Sequence, residues 1–583
     1  MTDRAFEDRS LPIDVRVEDL LARMSVEDKV GLLFHTFARS GTLDEGVPPF
    51  GIPSIRSMIV ERGMTHFAVI GAPSDGRAYA EWHNAVQRLA ADQPLGIPVT
   101  LSCDPVHHFN ENPATSWRAP AFSRWPEPLG LGAIGSEEVV STFADIARQE
   151  YVAVGLRAAL HPQIDVATEP RWTRVGGTFG EDAALASRLG AAYVRGFQGE
   201  HFGPGSVSMM AKHFPGGGPQ KGGDDPHFAW GREQVYPGGR FDYHLEPFQA
   251  AIEAGVRQIM PYYGMPSGTV YEEVGFGFNR SIITGILRDK LGFGGIVCTD
   301  WGLVTDWPGA GPLNPARAWG VEHLSREERI LKILGAGVDQ LGGEHCTEIL
   351  VALVERSDVP QARIDDSARR LLREKFALGL FDDRYVDAEA AARVVGSPEF
   401  RAAGLRSQQA ALTLLTNAAT TPVTRRLPLR RGIRVYAEGA NEVLLAEYAT
   451  VVSDPTDAEV AIVRLEAPHD DERVGRFHAG SLEFPAGVIE RVRSLSAAVP
   501  LVIDVYLDRP AILTPLVELA SAAVVNFGIA EAALYEVLFG VEEPQGHLPI
   551  DLPRSAGAVA ASRTDVPFDT ENPLFCFGHG LRY

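Results

Sequence analysis

From about residue 50 to about residue 345, short apolar runs recur along the chain, and each ends in a polar cluster. The clearest are "GIPVTLSCDP", "AALHPQIDV", "SVSMMAKHFP", "RQIMPYYG", "GGIVCTDWG" and "ILGAGVDQLGG". Between them lie stretches such as "SEEVVSTFADIARQEYVAVG" and "DAALASRLGAAYVRGFQGE", whose apolar residues fall at the three- and four-residue spacing of a helix. Buried strands alternating with amphipathic helices predict a parallel sheet. A polar cluster at the carboxyl end of each strand predicts a TIM-like (β/α) barrel, whose active site gathers on that face. In "GGIVCTDWG" the apolar Ile296, Val297 and Cys298 run straight into Asp300 and Trp301. Burying an unpaired carboxylate is costly, so Asp300 is expected where a barrel strand leaves the core.

The stretch "SARRLLREKFALGLFDDRYVDAEAAARVVGSPEF" predicts a terminal helix and then an irregular linker. A second alternating block begins near residue 405, with strand candidates "LTLLTN", "IRVYAEGA", "AEVAIVRLEA", "VPLVIDVYLD" and "SAAVVNFGI". Helices such as "PAGVIERVRSLSAA" and "EAALYEVLFG" separate them, a pattern that suits a doubly wound α/β sandwich. The division is a barrel over 1–385, a linker over 386–404 and the sandwich over 405–583.

Composition narrows the function classes. A length of 583 residues calls for two or three domains, and 45% hydrophobic with 22% charged residues is ordinary for a soluble globular protein. The formal net charge of −22 argues against a nucleic-acid partner, whose phosphates need a positive surface. Four scattered cysteines suggest neither a disulfide framework nor a zinc knuckle. The N-terminus "MTDRAFEDRSLP" does not resemble a signal peptide, and no run approaches the ~18 apolar residues of a membrane span. A cytoplasmic setting is expected, with no membrane partner; the sequence leaves a homo-oligomer open.

The strand ends carry the candidate chemistry. Trp301 beside Asp300 offers a sugar ring a stacking surface and lowers the local dielectric. "MMAKHFPGGG" places Lys212 and His213 at a strand end before a glycine-rich turn. The phosphate-loop pattern G-x-x-x-x-G-K-[ST] is absent there, so two adjacent donors suit hydroxyl recognition better. "TEPRWTRVGGTFGED" contributes Arg174, and "LSCDPVHH" contributes Asp104, an acid able to accept from a vicinal diol. His107 and His108 read as packing residues, and no spacing supports a metal site. No Ser or Cys pairs with a base as a nucleophile. A carbohydrate pocket with a carboxylate nucleophile is the chemistry that uses this set.

The same stretches resemble glycoside hydrolase family 3, the β-glucosidase and β-xylosidase group. "EPRWTRVGGTFGED" is similar to the family's D-P-R-W-G-R…T-F-G-E-D run, "KHFPGGG" to its K-H-F-x-G segment, and "IVCTDWG" to its [ST]-D-W strand. "EPQGHLPIDLPRS" and "NPLFCFGHGLRY" are similar to its closing signatures, so the ordered set runs from about residue 100 to the last. The resemblance implies a barrel followed by an α/β sandwich and a retaining double displacement, in which Asp300 is the nucleophile. It implies that Asp104, Arg174, Lys212, His213 and Tyr262 hold the sugar, with Trp301 as an apolar wall. The positive Lys212, His213 and Arg174 cluster suits an ionised Asp300. Water completes the cycle, so no cofactor is implied.

In two-domain relatives the partner acid is a Glu on a loop of the second domain. Here that segment is "RLEAPHDDERVGRFHAGSLEFP", where Glu466, Asp470, Asp471 and Glu472 compete. Glu472 is favoured because Arg476 follows it by four residues; aligning from "AP" selects Asp470 instead. Gly176 and Gly177 stand where relatives often have bulkier residues, which predicts a wider pocket. "GGDDPHF" adds Asp225 and His227, the latter expected to contact substrate. In the β-N-acetylglucosaminidase branch an Asp–His pair on a loop supplies the acid, but that branch usually lacks a second domain. Gln340 and Glu344 either shape the pocket or serve as caps. The chain stops after "FGHGLRY", where relatives with an added fibronectin-like domain continue. The leading expectation is an exo-acting β-glycosidase releasing glucose or xylose. The alternatives are a β-N-acetylglucosaminidase, a glycoside phosphorylase of the same fold, and a catalytically silent sugar-binding protein.

Overall fold

The computed structural model describes residues 4–110, 119–308, 315–421, 424–470 and 477–583. Eight short strands carry the first half: β1 (Phe34–Arg39), β2 (His66–Ile70), β3 (Thr100–Cys103), β4 (Leu156–Ala159), β5 (Ser208–Phe214), β6 (Gln258–Pro261), β7 (Ile296–Val297) and β8 (Leu341–Gly342). Each pairs in parallel with its neighbour in chain order, from β1 through to β7. β8 returns to β1 through Phe34↔Leu341, and a parallel bridge from Cys298 to Gln340 closes the ring between β7 and β8. β2 through β8 are buried at every residue, as a parallel sheet clothed in helices requires.

The barrel starts earlier than the apolar pattern indicates. β1, "FHTFAR", carries polar residues into the core, where His35 Nε2 meets Ser102 Oγ at 2.7 Å while His35 Nδ1 and the Thr36 hydroxyl have no partner. Two buried polar residues in succession hide a strand from a search for apolar runs.

The surrounding helices follow from sequence-level devices. α1 spans Gly76–Ala91, and α2, Pro128–Ile134, lies beneath the second domain. α3 (Glu137–Val154) starts where Ser136 accepts the Val139 N–H, with two glutamates in its first turn. It ends at Gly155, whose φ of +85° is open to glycine at little cost. Its buried stripe of Val140, Phe143, Ala147, Tyr151 and Val154 packs on α4 (Ala183–Gln198). α5 (Gln361–Ala377) closes the barrel wall, and the stretch 386–404 holds α6 (Ala388–Val394) and the start of α7 (Pro398–Ala411).

The second half is a six-stranded mixed sheet. Its strands are β9 (Thr413–Asn417), β10 (Arg434–Glu438), β11 (Thr450–Val451), β12 (Val460–Glu466), β13 (Leu501–Tyr506) and β14 (Ala522–Asn526), in the order β9-β14-β13-β12-β10-β11. Only the β9–β14 pair is antiparallel. α8 (Ala486–Ala498) and α9 (Glu531–Leu538) are two of its helices. The closing "FGHGLRY" lies beside β9, with the Leu581 N–H donating to the Leu414 carbonyl at 2.8 Å.

The halves share one continuous apolar core that includes Leu129 and Phe179 from the barrel side and Phe527 and Ile550 from the other. Backbone bonds cross the boundary at Glu127–Phe527, Ala133–His547 and Glu181–Pro549. An apolar seam of this kind holds the second sheet rigidly over the carboxyl face of the barrel. Among the described residues no helix is long and apolar enough to cross a membrane.

Candidate active site

The barrel brings Asp104, Lys212, His213, Tyr262 and Asp300 to one mouth at or just beyond the carboxyl ends of strands, and Arg174 joins them from the long loop after β4. Lys212 Nζ donates to Asp104 Oδ1 at 2.9 Å, deep in the site. Burial raises the Asp104 carboxyl above the ordinary range against the pull of Lys212 and Arg174. Burial also opposes the charge on Arg174, but Tyr262, Asp225, Asp300 and Asp165 together outweigh it and hold the guanidinium firmly protonated.

His213 departs from expectation. Burial, joined by the nearby Arg174, pushes its imidazole well below the usual histidine range, so it adds no positive charge to the cluster. Its Nδ1 pairs with Asp165 Oδ2 at 2.8 Å, while Nε2 lies 4.0 Å from Asp300 Oδ2. Asp165 also accepts the His213 N–H at 3.1 Å and the Gly217 N–H at 2.5 Å, so it fixes both ring and glycine turn. Burial lifts its carboxyl to about 6. Sequence reasoning missed Asp165, although it stands at the end of the quoted "AALHPQIDV" run.

Asp300 is 8% exposed; its Oδ1 accepts the Trp301 N–H at 2.9 Å, and its Oδ2 is buried with no partner. The Tyr263 hydroxyl receives the Trp301 N–H at 3.0 Å and donates to the Trp301 carbonyl at 2.9 Å. Tyr263, the second tyrosine of "IMPYYG", is therefore a positioning residue that the sequence did not single out. Tyr262 sets its ring 4.5 Å from His213 and leaves its buried hydroxyl without a partner. Glu344 caps the loop after the strand, accepting the Val304 and Thr305 N–H groups at 2.7 and 3.0 Å. Gly176 and Gly177 line the cavity beside Lys212 and Arg174. A Cβ on Gly177 would stand 2.6 Å from Gln163 Oε1 and one on Gly176 2.8 Å from the Asp508 carbonyl, so both glycines admit close neighbours.

His227 is drawn in as well. Its Nδ1 meets Asp225 Oδ1 at 2.6 Å, and its ring lies 4.7 Å from Tyr263 and 4.9 Å from Phe477 of the second domain. Although burial works against the charge, His227 and Arg174 pull the Asp225 carboxyl down to about 2. Glu472, and Asp471 beside it, lie outside the described residues. Asp470 is exposed at the edge of a surface hollow that it shares with Arg171, Asp224 and Gly480. The feet of its loop are pinned by the buried Arg509, which donates to the carbonyls of Pro468 at 2.6 Å, Ala479 and Ser481 at 3.1 Å, and Gly480 and Arg171 at 3.3 Å. Arg509→Met is expected to lower the melting temperature and, as the loop loosens, to slow substrates with poor leaving groups more than activated ones. Thermal melts and paired initial rates check this.

A cavity partly open to solvent is lined by Lys212 and Arg174 and lies beneath the second domain. Glu127, His108, Asp508 and His478 line it, and His478 Nδ1 is bonded to Asp508 Oδ2. Glu127 Oε1 accepts the Phe109 and Asn110 N–H groups at 2.8 and 2.7 Å, yet burial pushes its carboxyl up to about 7. A raised acid holds a proton in the folded state that the unfolded chain has already lost. Its stabilising share is complete below about pH 4.5 and disappears as pH climbs to about 7. Glu127→Gln is expected to flatten the fall in melting temperature across that window, measured by calorimetry at matched ionic strength.

A barrel mouth with this donor and acid set, overhung by a second sheet, agrees with what the chain is similar to. Residues 64–374 match the glycosyl hydrolase family 3 N-terminal domain, and residues 249–583 match the family 3 C-terminal domain. The chain belongs to glycoside hydrolase family 3. It is 48% identical to a probable β-glucosidase C of Aspergillus oryzae, across 99% of this chain and 91% of the relative. It is 37% identical to a periplasmic β-glucosidase/β-xylosidase of Dickeya chrysanthemi, again covering 99% and 91%. Its fold is similar to that of a β-glucosidase from Erythrobacter marinus, with a TM-score of 0.81 and 21% identity over 100% of this chain and 84% of that one. A Listeria innocua β-glucosidase, solved in complex with isofagomine, gives a TM-score of 0.77 and 20% identity over 98% and 83%. For this family 3 hydrolase the order of motifs along the chain and the order of strands around the barrel coincide.

Proposed function

We propose that this family 3 enzyme is a retaining, exo-acting β-glucosidase with Asp300 as nucleophile. One observation carries the reading: Asp300 Oδ2 is buried without a partner at the barrel mouth, among groups suited to binding hydroxyls. Asp104, Asp165 and Asp225 are each committed to a cationic or imidazole partner. A glucose unit would rest against Asp104 and Lys212, with Arg174, His213 and Tyr262 over its remaining hydroxyls and Trp301 against its apolar face. Asp300 Oδ2 attacks the anomeric carbon and expels the aglycone, and water later cleaves the ester with a second inversion. Full-length identity to a β-glucosidase C favours glucose over xylose.

The proton donor in this scheme is Glu472, on the loop that Arg509 anchors and that returns at Phe477 against His227. Retention needs the two carboxyl groups about 5 Å apart. A second reading assigns the proton transfer to His227, because it is buried beside Tyr263 and held by Asp225 as a general acid would be. Incubation with a 2-deoxy-2-fluoro-β-glucoside tests the central assignment: a covalent mass on the peptide that holds Asp300 is expected. No adduct, or one on another residue, overturns it. A panel of nitrophenyl glycosides with and without phosphate then separates glucosidase from xylosidase, N-acetylglucosaminidase and phosphorylase.

A further inference from the structure

Arg317 is the most anomalous buried charge among the described residues. It is 1% exposed, and its Nε, Nη1 and Nη2 all lack partners. Burying a guanidinium without an acceptor is costly, because five donors give up water and receive nothing in return. The side chain is nonetheless tightly placed. It lies 4.0 Å over the Trp307 ring, its backbone N–H donates to the Gly302 carbonyl at 2.9 Å, and a Cβ on Gly302 would come within 3.0 Å of Nη1. Burial disfavours its charge, and the nearby Tyr263, Asp300, Glu344 and Asp225 offset that only in part.

The barrel order says which part of the substrate this cation meets. Asp104, Arg174, Lys212 and His213 come from the β3–β4–β5 arc, which supplies the hydroxyl-binding groups. Arg317 follows β7, and Trp307 and Trp301 pack on Phe50 and Phe37 beside β1, so this group occupies the opposite arc. Three orphaned groups meet there, Asp300 Oδ2, the Trp301 indole N–H and the Arg317 guanidinium.

We propose that Arg317 is a specificity-determining residue that donates hydrogen bonds to hydroxyl oxygens of the leaving-group sugar, making disaccharides preferred over aglycones without hydroxyls. The inference rests on the β-glucosidase reading of this site. A planar fork stacked on an indole presents parallel donors to neighbouring hydroxyl oxygens, which a flexible ammonium does not.

The test compares kcat/KM for a β-linked glucose disaccharide with that for 4-nitrophenyl β-glucoside in wild type, Arg317→Met and Arg317→Lys. Loss of a charged hydrogen bond corresponds to about 10- to 100-fold. Disaccharide turnover is therefore expected to fall by about 30-fold in Arg317→Met and aryl glucoside turnover by only a few-fold. The lysine variant should fall between wild type and methionine. A ratio within about twofold of wild type in either variant overturns the proposal, as does equal loss on both substrates. If neither variant folds, a crystal of Asp300→Asn holding the disaccharide decides: a second sugar beyond hydrogen-bond reach of Arg317 overturns it. A wild type that cleaves neither glucoside instead refutes the β-glucosidase reading. The same ratio and crystal are then applied to the glycosyl unit that the panel identifies.

Discussion

Asp300→Asn is expected to lower kcat on 4-nitrophenyl β-glucoside by at least about 10⁴-fold while leaving the melting temperature within a few degrees of wild type. The loss is large because no other group can form the glycosyl ester, so the whole benefit of a covalent intermediate disappears. Folding is spared for a structural reason. The amide carbonyl can still accept the Trp301 N–H that Asp300 Oδ1 accepts at 2.9 Å, and Oδ2 has no bond to lose. A second variant turns the prediction into a stereochemical one. Asp300→Gly in the presence of azide should release glycosyl azide of inverted configuration, because the small anion attacks once from the vacated face. A retained product, or an Asn variant with wild-type rates, removes Asp300 from the mechanism.

The second large effect concerns the proton. Glu472→Ala should slow hydrolysis of a disaccharide by about 10²- to 10⁴-fold while a dinitrophenyl glucoside stays within a few-fold for bond cleavage, since its leaving group departs without protonation. Deglycosylation should also slow, because the same carboxylate activates water, so the activated substrate should show a pre-steady-state burst. Azide should restore turnover by replacing that water. If His227→Ala or Asp470→Ala gives this profile and Glu472→Ala does not, the acid lies elsewhere. His227 is the stronger competitor, since it faces Tyr263 and Phe477 at the mouth, whereas Asp470 edges a surface hollow. The Arg509 anchor makes the two readings separable. Loosening the loop feet impairs a glutamate carried on that loop and leaves an Asp225-held imidazole where it is.

The strand-end positions were legible because burial and chemistry pull in opposite directions there. An apolar run that stops at an acid or a Lys-His pair is cheap only where the chain leaves a core. That tension exposed Asp104, Lys212, His213 and Asp300, and the ordered motifs added Arg174 and Tyr262. β1 escaped notice because His35 and Thr36 interrupt its apolar run although both are buried. Asp165 and Tyr263 escaped because each works through a neighbour, one by holding His213 and the other by bracketing the backbone of Trp301. No local pattern marks a residue whose partner lies tens of positions away.

Strand and helix periodicity, the order of the motifs and the carboxylate that ends β7 could all be read from the amino acids in line, since each depends on neighbours within a few residues. Three features depended on distant segments meeting in space. His213 is neutral because burial beside Arg174 and Lys212 disfavours its charge. Gly176 and Gly177 admit the Asp508 carbonyl and Gln163 at distances that a Cβ would forbid. Arg317 stands beside the nucleophile without an acceptor, a state visible only once the β7 loop has folded back over Trp307. Desolvation and orphaned donors are properties of a packed volume, and a chain acquires them only when it has folded.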